Sequence, residues 1–243
     1  MIKDITTIIW RDWTVLKRRL KKFLLSRLVT PVMYMLAFGW GLGRSIDFEG
    51  GRYIDFLVPG IIALNVMNVS YMSVSSIHAE KVYHKSLEEY MLAPISTTAY
   101  VTGKIISAII RSLISTAIIM CVAAMFGAEV ILSAEKFADF IFVIILTAII
   151  FAGVGICAAM RVRTYEELAQ VNTYILMPMS FMCGTFFSTE KLPEVLRIFV
   201  ELLPLAQANE ILRFGINLKS AVILAVYAAI MIYIALREFG KRS

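Results

Sequence analysis

Residues that carry chemistry are scarce in this chain, and the scarcity excludes several classes of protein before any motif is read. Only two histidines and three cysteines occur among 243 residues. Cys121, Cys157 and Cys183 fall singly in apolar stretches, with no paired spacing and no Cys/His cluster, so neither a disulfide framework nor a metal site is expected. No glycine-rich phosphate loop of the Walker type occurs, so the chain is not expected to bind ATP in that way. Aspartate and glutamate are absent from the depths of the apolar stretches; Asp47, Asp55 and Asp139 sit at their ends or in loops. A proton- or sodium-coupled carrier therefore lacks its usual midplane carboxylate. An intramembrane protease lacks a buried Ser–His pair, an aspartate pair or a zinc cluster. No residue is nominated as catalytic, and no cofactor is expected in this chain.

What the chain has is apolar length. Hydrophobic residues make up 59% of it, concentrated at 24–43, 57–77, 105–126, 140–160, 171–187 and 221–236. A helix rises about 1.5 Å per residue, so a hydrocarbon core of about 30 Å needs roughly 20 apolar residues. Only helices satisfy their own backbone inside lipid when each segment must do so alone. The expected fold is an all-α integral membrane protein of six transmembrane helices, one transmembrane domain spanning 1–243. The net charge of +6 divides by loop: with the N-terminus cytoplasmic, sixteen Lys and Arg fall on the cytoplasmic side and seven on the other. This obeys the positive-inside rule and puts both termini of the multi-pass chain in the cytoplasm; the cell's inner (plasma) membrane is the expected location. The basic residues sit at membrane edges, as lipid anchors do, so nucleic acid is not an expected partner.

The extramembrane segments have their own patterns. Residues 1–23 repeat Ile2, Ile5, Ile9, Leu16, Leu20 and Phe23 at largely helical spacing beside a basic run that includes Arg18 and Arg19, the pattern of a helix lying in the cytoplasmic interface. The longest cytoplasmic loop, 78–98, carries an apolar stripe of Tyr83, Leu87, Tyr90 and Met91, with Lys85, Glu88 and Glu89 largely elsewhere on the turn. It is a solvated loop helix or a docking element for a cytosolic partner. Glu80, at the cytoplasmic end of the second span, is expected to pair with Arg18 or Arg19. The external segment 188–220 has Leu192, Leu196, Phe199 and Leu203 at four-three-four spacing between Pro193 and Pro204. The dozen or so residues of that pattern are too few to cross the bilayer, and they are expected to form a short re-entrant or outer-interface helix.

Polar and adaptable residues within the spans mark candidate pathway positions. Asn65, Asn68 and Met72 draw a stripe down the second span that serves as helix glue or as translocation lining. Arg111 is the charge deepest in any stretch, with an interhelix or a pathway role. Met177 and Phe181 flank Pro178 in the fifth stretch and suit either packing or an adaptable hydrophobic ligand.

Three motifs give these pieces a common identity. Phe56-Leu57-Val58-Pro59-Gly60-Ile61 opens the second span. Glu80 is followed by Leu87-Glu88-Glu89-Tyr90-Met91-Leu92-Ala93-Pro94-Ile95-Ser96. Gly184-Thr185-Phe186-Phe187 leads to Lys191-Leu192-Pro193, Leu202-Leu203-Pro204-Leu205 and Leu212-Arg213. Together, in order, they resemble the membrane (permease) subunits of type 2 ATP-binding-cassette exporters, over essentially the whole chain. The resemblance implies six spans with an N-terminal interfacial helix, a second permease copy as a homodimer, and two cytosolic ATPase subunits that carry the ATP and Mg. It implies that 78–98 is the coupling helix, with Tyr83, Lys85, Leu87, Glu88, Glu89, Tyr90 and Met91 docking on the ATPase. It implies outward movement of a hydrophobic or amphipathic substrate, such as a drug, lipid or lipid-linked glycan. A non-transporting membrane scaffold or assembly factor is the alternative.

Overall fold

The computed structural model describes residues 2–42, 52–82, 96–128, 134–189 and 192–241, and every regular element among them is helical. In chain order these are α1 (Ile2–Arg18), α2 (Leu20–Tyr34), which runs on into a π-helical stretch (Met35–Leu42), α3 (Tyr53–Val82), α4 (Thr97–Met125), α5 (Ala134–Arg161), α6 (Tyr165–Val171), a second π stretch (Asn172–Leu176), α7 (Met177–Met182), α8 (Glu194–Glu201), α9 (Pro204–Phe214) and α10 (Leu218–Gly240). Among the described residues, five segments are long and apolar enough to cross a membrane: Leu20–Gly41, Tyr53–His78, Thr97–Met125, Phe137–Arg161 and Leu218–Gly240.

The helix starts are chemically marked. Ser96 accepts from the Ala99 amide at 3.3 Å to cap α4, Thr164 accepts from the Glu167 amide at 3.2 Å to cap α6, and Asn217 accepts from the Lys219 amide at 3.1 Å to cap α10. Glu167 reaches back to the Arg163 amide at 2.8 Å, so both sides of the α6 start are satisfied.

The architecture is a bundle organised around α3. In α3's apolar window 83% of residues are buried within the protein, against 11% for α2. The second span is therefore the hub, and α2 lies at the edge. α3 packs against α5, α4 and α9; α10 packs against α5, and α1 lies across α4. The α3–α5 contact is close because Gly155 faces α3: a Cβ there would lie 2.8 Å from the Tyr71 carbonyl oxygen. Small residues at a helix crossing let backbones approach, which is how apolar helices gain packing in lipid.

Four boundaries differ from the sequence expectation. The interfacial helix ends at Arg18, because Arg19 leaves helical geometry (φ −114°, ψ 15°), and Leu20 to Phe23 belong to α2. The fifth apolar stretch is helical from Tyr165 but stops at Met182 rather than at Phe187, because Gly184 takes φ +74° and turns the chain. It is also not one uniform α-helix. Pro178 has no amide proton and its ring crowds the carbonyl four residues back, and the ladder ahead of it widens to a π stretch. The segment expected to be external holds two short helices: Pro204 does not merely end α8 but starts α9 at its first position. The last few residues of the expected external segment, Leu218 to Ser220, already belong to α10.

The expected docking residues Tyr83, Lys85, Leu87, Glu88, Glu89, Tyr90 and Met91 lie outside the described residues, as does the side chain of Glu80. Arg18 and Arg19 are exposed at the α1–α2 junction.

Candidate transmembrane cavity and the ties around it

A cavity of about 350 Å³ opens between α2, α3 and the π–α7 segment. From α3 it is lined by Asn65, Asn68 and Met72, from the π–α7 segment by Asn172, Met177 and Phe181, and from α2 by Arg27, Pro31 and Tyr34. Five of the six residues singled out as candidate pathway positions thus border one space. They meet because α3 turns one polar face to the cavity at three-four spacing and π–α7 runs antiparallel to it. Tyr71 fixes that alignment: its hydroxyl donates to the Leu168 carbonyl at 2.9 Å.

The α3 polar face does two jobs. Asn65 Nδ2 donates to Ser115 Oγ at 2.9 Å, and the hydroxyls of Ser70, off the stripe, and Ser112 lie 2.8 Å apart, so Asn65 and Ser70 together stitch α3 to α4. Asn68 donates to its own helix, to the Leu64 carbonyl at 3.0 Å, and borders the cavity.

Arg111, the sixth candidate, is not among the cavity's lining residues. It sits in a small crevice with Ile9, Asp12, Trp13 and Leu16, and Nη2 donates to the Asp12 carbonyl at 3.5 Å. It faces α1.

Three features are not legible in the sequence pattern. The first is a buried ion pair: Lys104 Nζ stands 3.3 Å from Asp12 Oδ1, with 1% and 10% of the two side chains exposed. Lys104 also lies 5.6 Å from the centre of the Tyr100 ring. In the sequence Lys104 reads as one more cytoplasmic anchor. The one signal of the pair is Asp12, on the inward face of α1 between Ile8 and Leu16.

The second is Arg213 on α9. Its guanidinium donates to the Phe56, Gly184 and Thr185 carbonyls at 3.1, 2.8 and 3.1 Å and lies 3.6 Å above the Phe56 ring. Asn209 donates to the Cys183 carbonyl at 2.8 Å, and Tyr53 to that of Phe186 at 2.7 Å. These donors hold the 183–186 turn, which has no helical ladder of its own, against the start of α3. The third is Arg27, a cation four residues inside the first apolar stretch that counts, in the sequence, only as a topological charge.

The match to known proteins follows this architecture. Residues 3–217 match the family model described as ABC-2 type transporter. The chain belongs to that family. The inner membrane transport permease YadH of Escherichia coli K12 is 23% identical over 213 residues, covering 87% of this chain and 82% of that protein. Nodulation protein J of Bradyrhizobium diazoefficiens is 27% identical over 210 residues, covering 85% and 79%. Nodulation protein J of Neorhizobium galegae is 27% identical over 212 residues, covering 84% and 78%. This ABC-2 permease is thus a multi-pass membrane protein of a transporter family whose general partner is an ABC ATPase. The Arg213 clamp sits within the matched region of the permease, and so do the cavity and the Asp12–Lys104 pair.

Proposed function

We propose that this permease is the transmembrane subunit of an ATP-driven exporter that moves a hydrophobic or amphipathic substrate out of the cytoplasm. The observation that carries the reading is the cavity beside the buried hub helix. Its wall combines amides from Asn65, Asn68 and Asn172 with the adaptable apolar side chains of Met72, Met177 and Phe181. A mixed wall of this kind accepts a substrate with polar and apolar parts. The name of one relative, a transport permease, agrees with a transport role.

In this reading two cytosolic ATPase subunits bind ATP and Mg, and the 78–98 segment docks on them through Leu87, Tyr90 and Met91. A second copy of the chain completes the pathway. The edge position of α2 supports that arrangement, since Leu25, Val29, Met33 and Trp40 form an outward apolar stripe on a helix otherwise little covered. In this reading both termini face the cytoplasm, which the distribution of Lys and Arg supports.

The test is co-expression of the permease with its ATPase. Joint purification and substrate-stimulated ATP turnover in proteoliposomes are expected. A permease that purifies alone, or with an ATPase whose turnover ignores every amphiphile offered, is a scaffold or assembly factor instead.

A further inference from the structure

Arg27 lies on the cavity wall with its Nε buried and without a hydrogen-bond partner. The guanidinium sits 5.9 Å from the ring of Phe23, one turn back on the same helix, and the nearby charge it feels is that of Arg111, of like sign. No aspartate or glutamate occurs among the described residues that line the cavity; its other polar side chains are the amides and hydroxyls of Asn65, Asn68, Asn172, Ser26, Thr30, Ser180 and Tyr34. A guanidinium presents five donors in a planar fork suited to carboxylate or phosphate. Among the described residues that fork meets no carboxylate.

The cavity also has two different ends. Arg27 on α2, Met72 on α3 and Asn172 on the π stretch occupy one level. Tyr34, seven residues and about 10 Å further along α2, shares the other with Phe181. At that second end the rings of Tyr34, Phe38 and Phe181 gather around Phe186, with centroids 5.0, 4.7 and 5.6 Å from it. One end offers a fixed positive charge and the other an aromatic wall. The volume lies at the lower edge of the range of about 300–1,000 Å³ typical of sites for drug-sized ligands.

We propose that the cavity binds an amphipathic anion, with a carboxylate or phosphate at Arg27 and its apolar body directed toward Tyr34 and Phe181. The inference deepens the exporter reading by naming the chemical class of its substrate, and it rests on that reading only for the claim that the occupant is transported. Binding itself is measurable on the permease alone.

The full-length permease is placed in phosphatidylcholine nanodiscs and titrated with two fluorescent probes of equal length, dansylaminoundecanoic acid and its uncharged carboxamide. The wild type is expected to bind the carboxylate about tenfold or more tightly than the amide, the advantage of a charge-assisted hydrogen-bonded pair. Arg27→Gln brings the two affinities within about twofold of each other, and Arg27→Lys keeps most of the preference, since charge remains while the fork is lost. Equal binding of the two probes by the wild type overturns the proposal, with no variant needed. So does a preference that survives in folded Arg27→Gln.

Replacing part of the phosphatidylcholine with phosphatidylglycerol identifies the source of the anion. Competition against the probe assigns the site to a bilayer lipid headgroup, and no competition assigns it to a free amphiphile; both support an anion site. The carboxylate preference can hold while ATP turnover with the ATPase ignores the probe. In that case the exporter reading fails and the anion site stands.

Discussion

Asp12 and Lys104 are 92 positions apart in sequence, and their side chains meet at 3.3 Å in a site almost closed to solvent. The pair ties α1 to the first turns of α4, close to the Ser96 cap. In the same contact, a Cβ on Gly103 would lie 2.9 Å from Ile8 Cγ2. The start of α4 is thus joined to α1 at two points, the ion pair and the close approach of Gly103 to Ile8.

Removing one partner of this pair takes from the other buried charge its counter-charge at 3.3 Å. Lys104→Met or Asp12→Leu alone is expected to destabilise the permease by about 3–5 kcal/mol. The double variant Asp12→Leu/Lys104→Met is expected to recover much of that loss, because an apolar pair replaces an ionic one. Thermal unfolding of the four proteins in the same detergent checks both statements. Additive losses in the double variant would show that the two side chains are not energetically coupled.

Gly60 is the second sensitive point. A Cβ there would stand 2.7 Å from the Thr185 carbonyl oxygen and 2.9 Å from Arg213 Nη2, both of which belong to the clamp on the 183–186 turn. Gly60→Ala is expected to open that clamp and to resemble Arg213→Ala, each costing about 1–3 kcal/mol through carbonyls left unsatisfied. Hydrogen exchange at Cys183 to Phe186 should accelerate in both variants, and exchange in the centre of α4 should not. Unchanged protection in Gly60→Ala would mean that the turn is held by other contacts.

Glu201 closes α8 onto the start of α10. The Arg197 hydrogen bond at 2.8 Å, assisted by Lys219 at 3.3 Å, holds its carboxyl below the usual carboxylate range. A depressed carboxyl stabilises the folded state above its unfolded value and loses that contribution as pH falls through its folded value. The wild-type advantage over Glu201→Gln is therefore present near neutrality and disappears on acidification below about pH 4. A pair this exposed contributes no more than about 1 kcal/mol. Melting temperatures of both proteins from neutral to acid pH test the sign; an advantage that grows on acidification contradicts it.

Coupling to the ATPase is proposed to run through the 78–98 segment. Buried apolar anchors carry most of an interface's energy and rim charges carry little. Leu87→Asp is expected to abolish ATPase capture while the permease still reaches the membrane folded, and Glu89→Ala is expected to be mild. Full ATPase capture with normal transport by Leu87→Asp would move the docking element elsewhere, with Thr164 to Leu168 the next candidate.

The polar stripe Asn65–Asn68–Met72 is legible in the sequence because helical spacing puts those residues on one face, and a polar face in a span must avoid lipid. Which neighbour it meets is not legible there. Only the packed bundle sends Asn65 to Ser115 and opens the side of Asn68 to a cavity. The proline at 204 is readable as a punctuation mark, but only the structure decides that it opens α9. Arg27, Lys104 and Arg213 each read as loop or edge charges, because a linear count of cations records their number and position and not their partners. Composition and hydropathy by themselves determine that this chain is helical and built for a membrane, since an apolar segment of that length has few other ways to satisfy its backbone. The hub position of α3, the Asp12–Lys104 tie and the charge asymmetry of the cavity are decided by tertiary structure alone. Each depends on side chains brought together from helices distant in sequence, and close packing among helices, not periodicity within one, sets those distances.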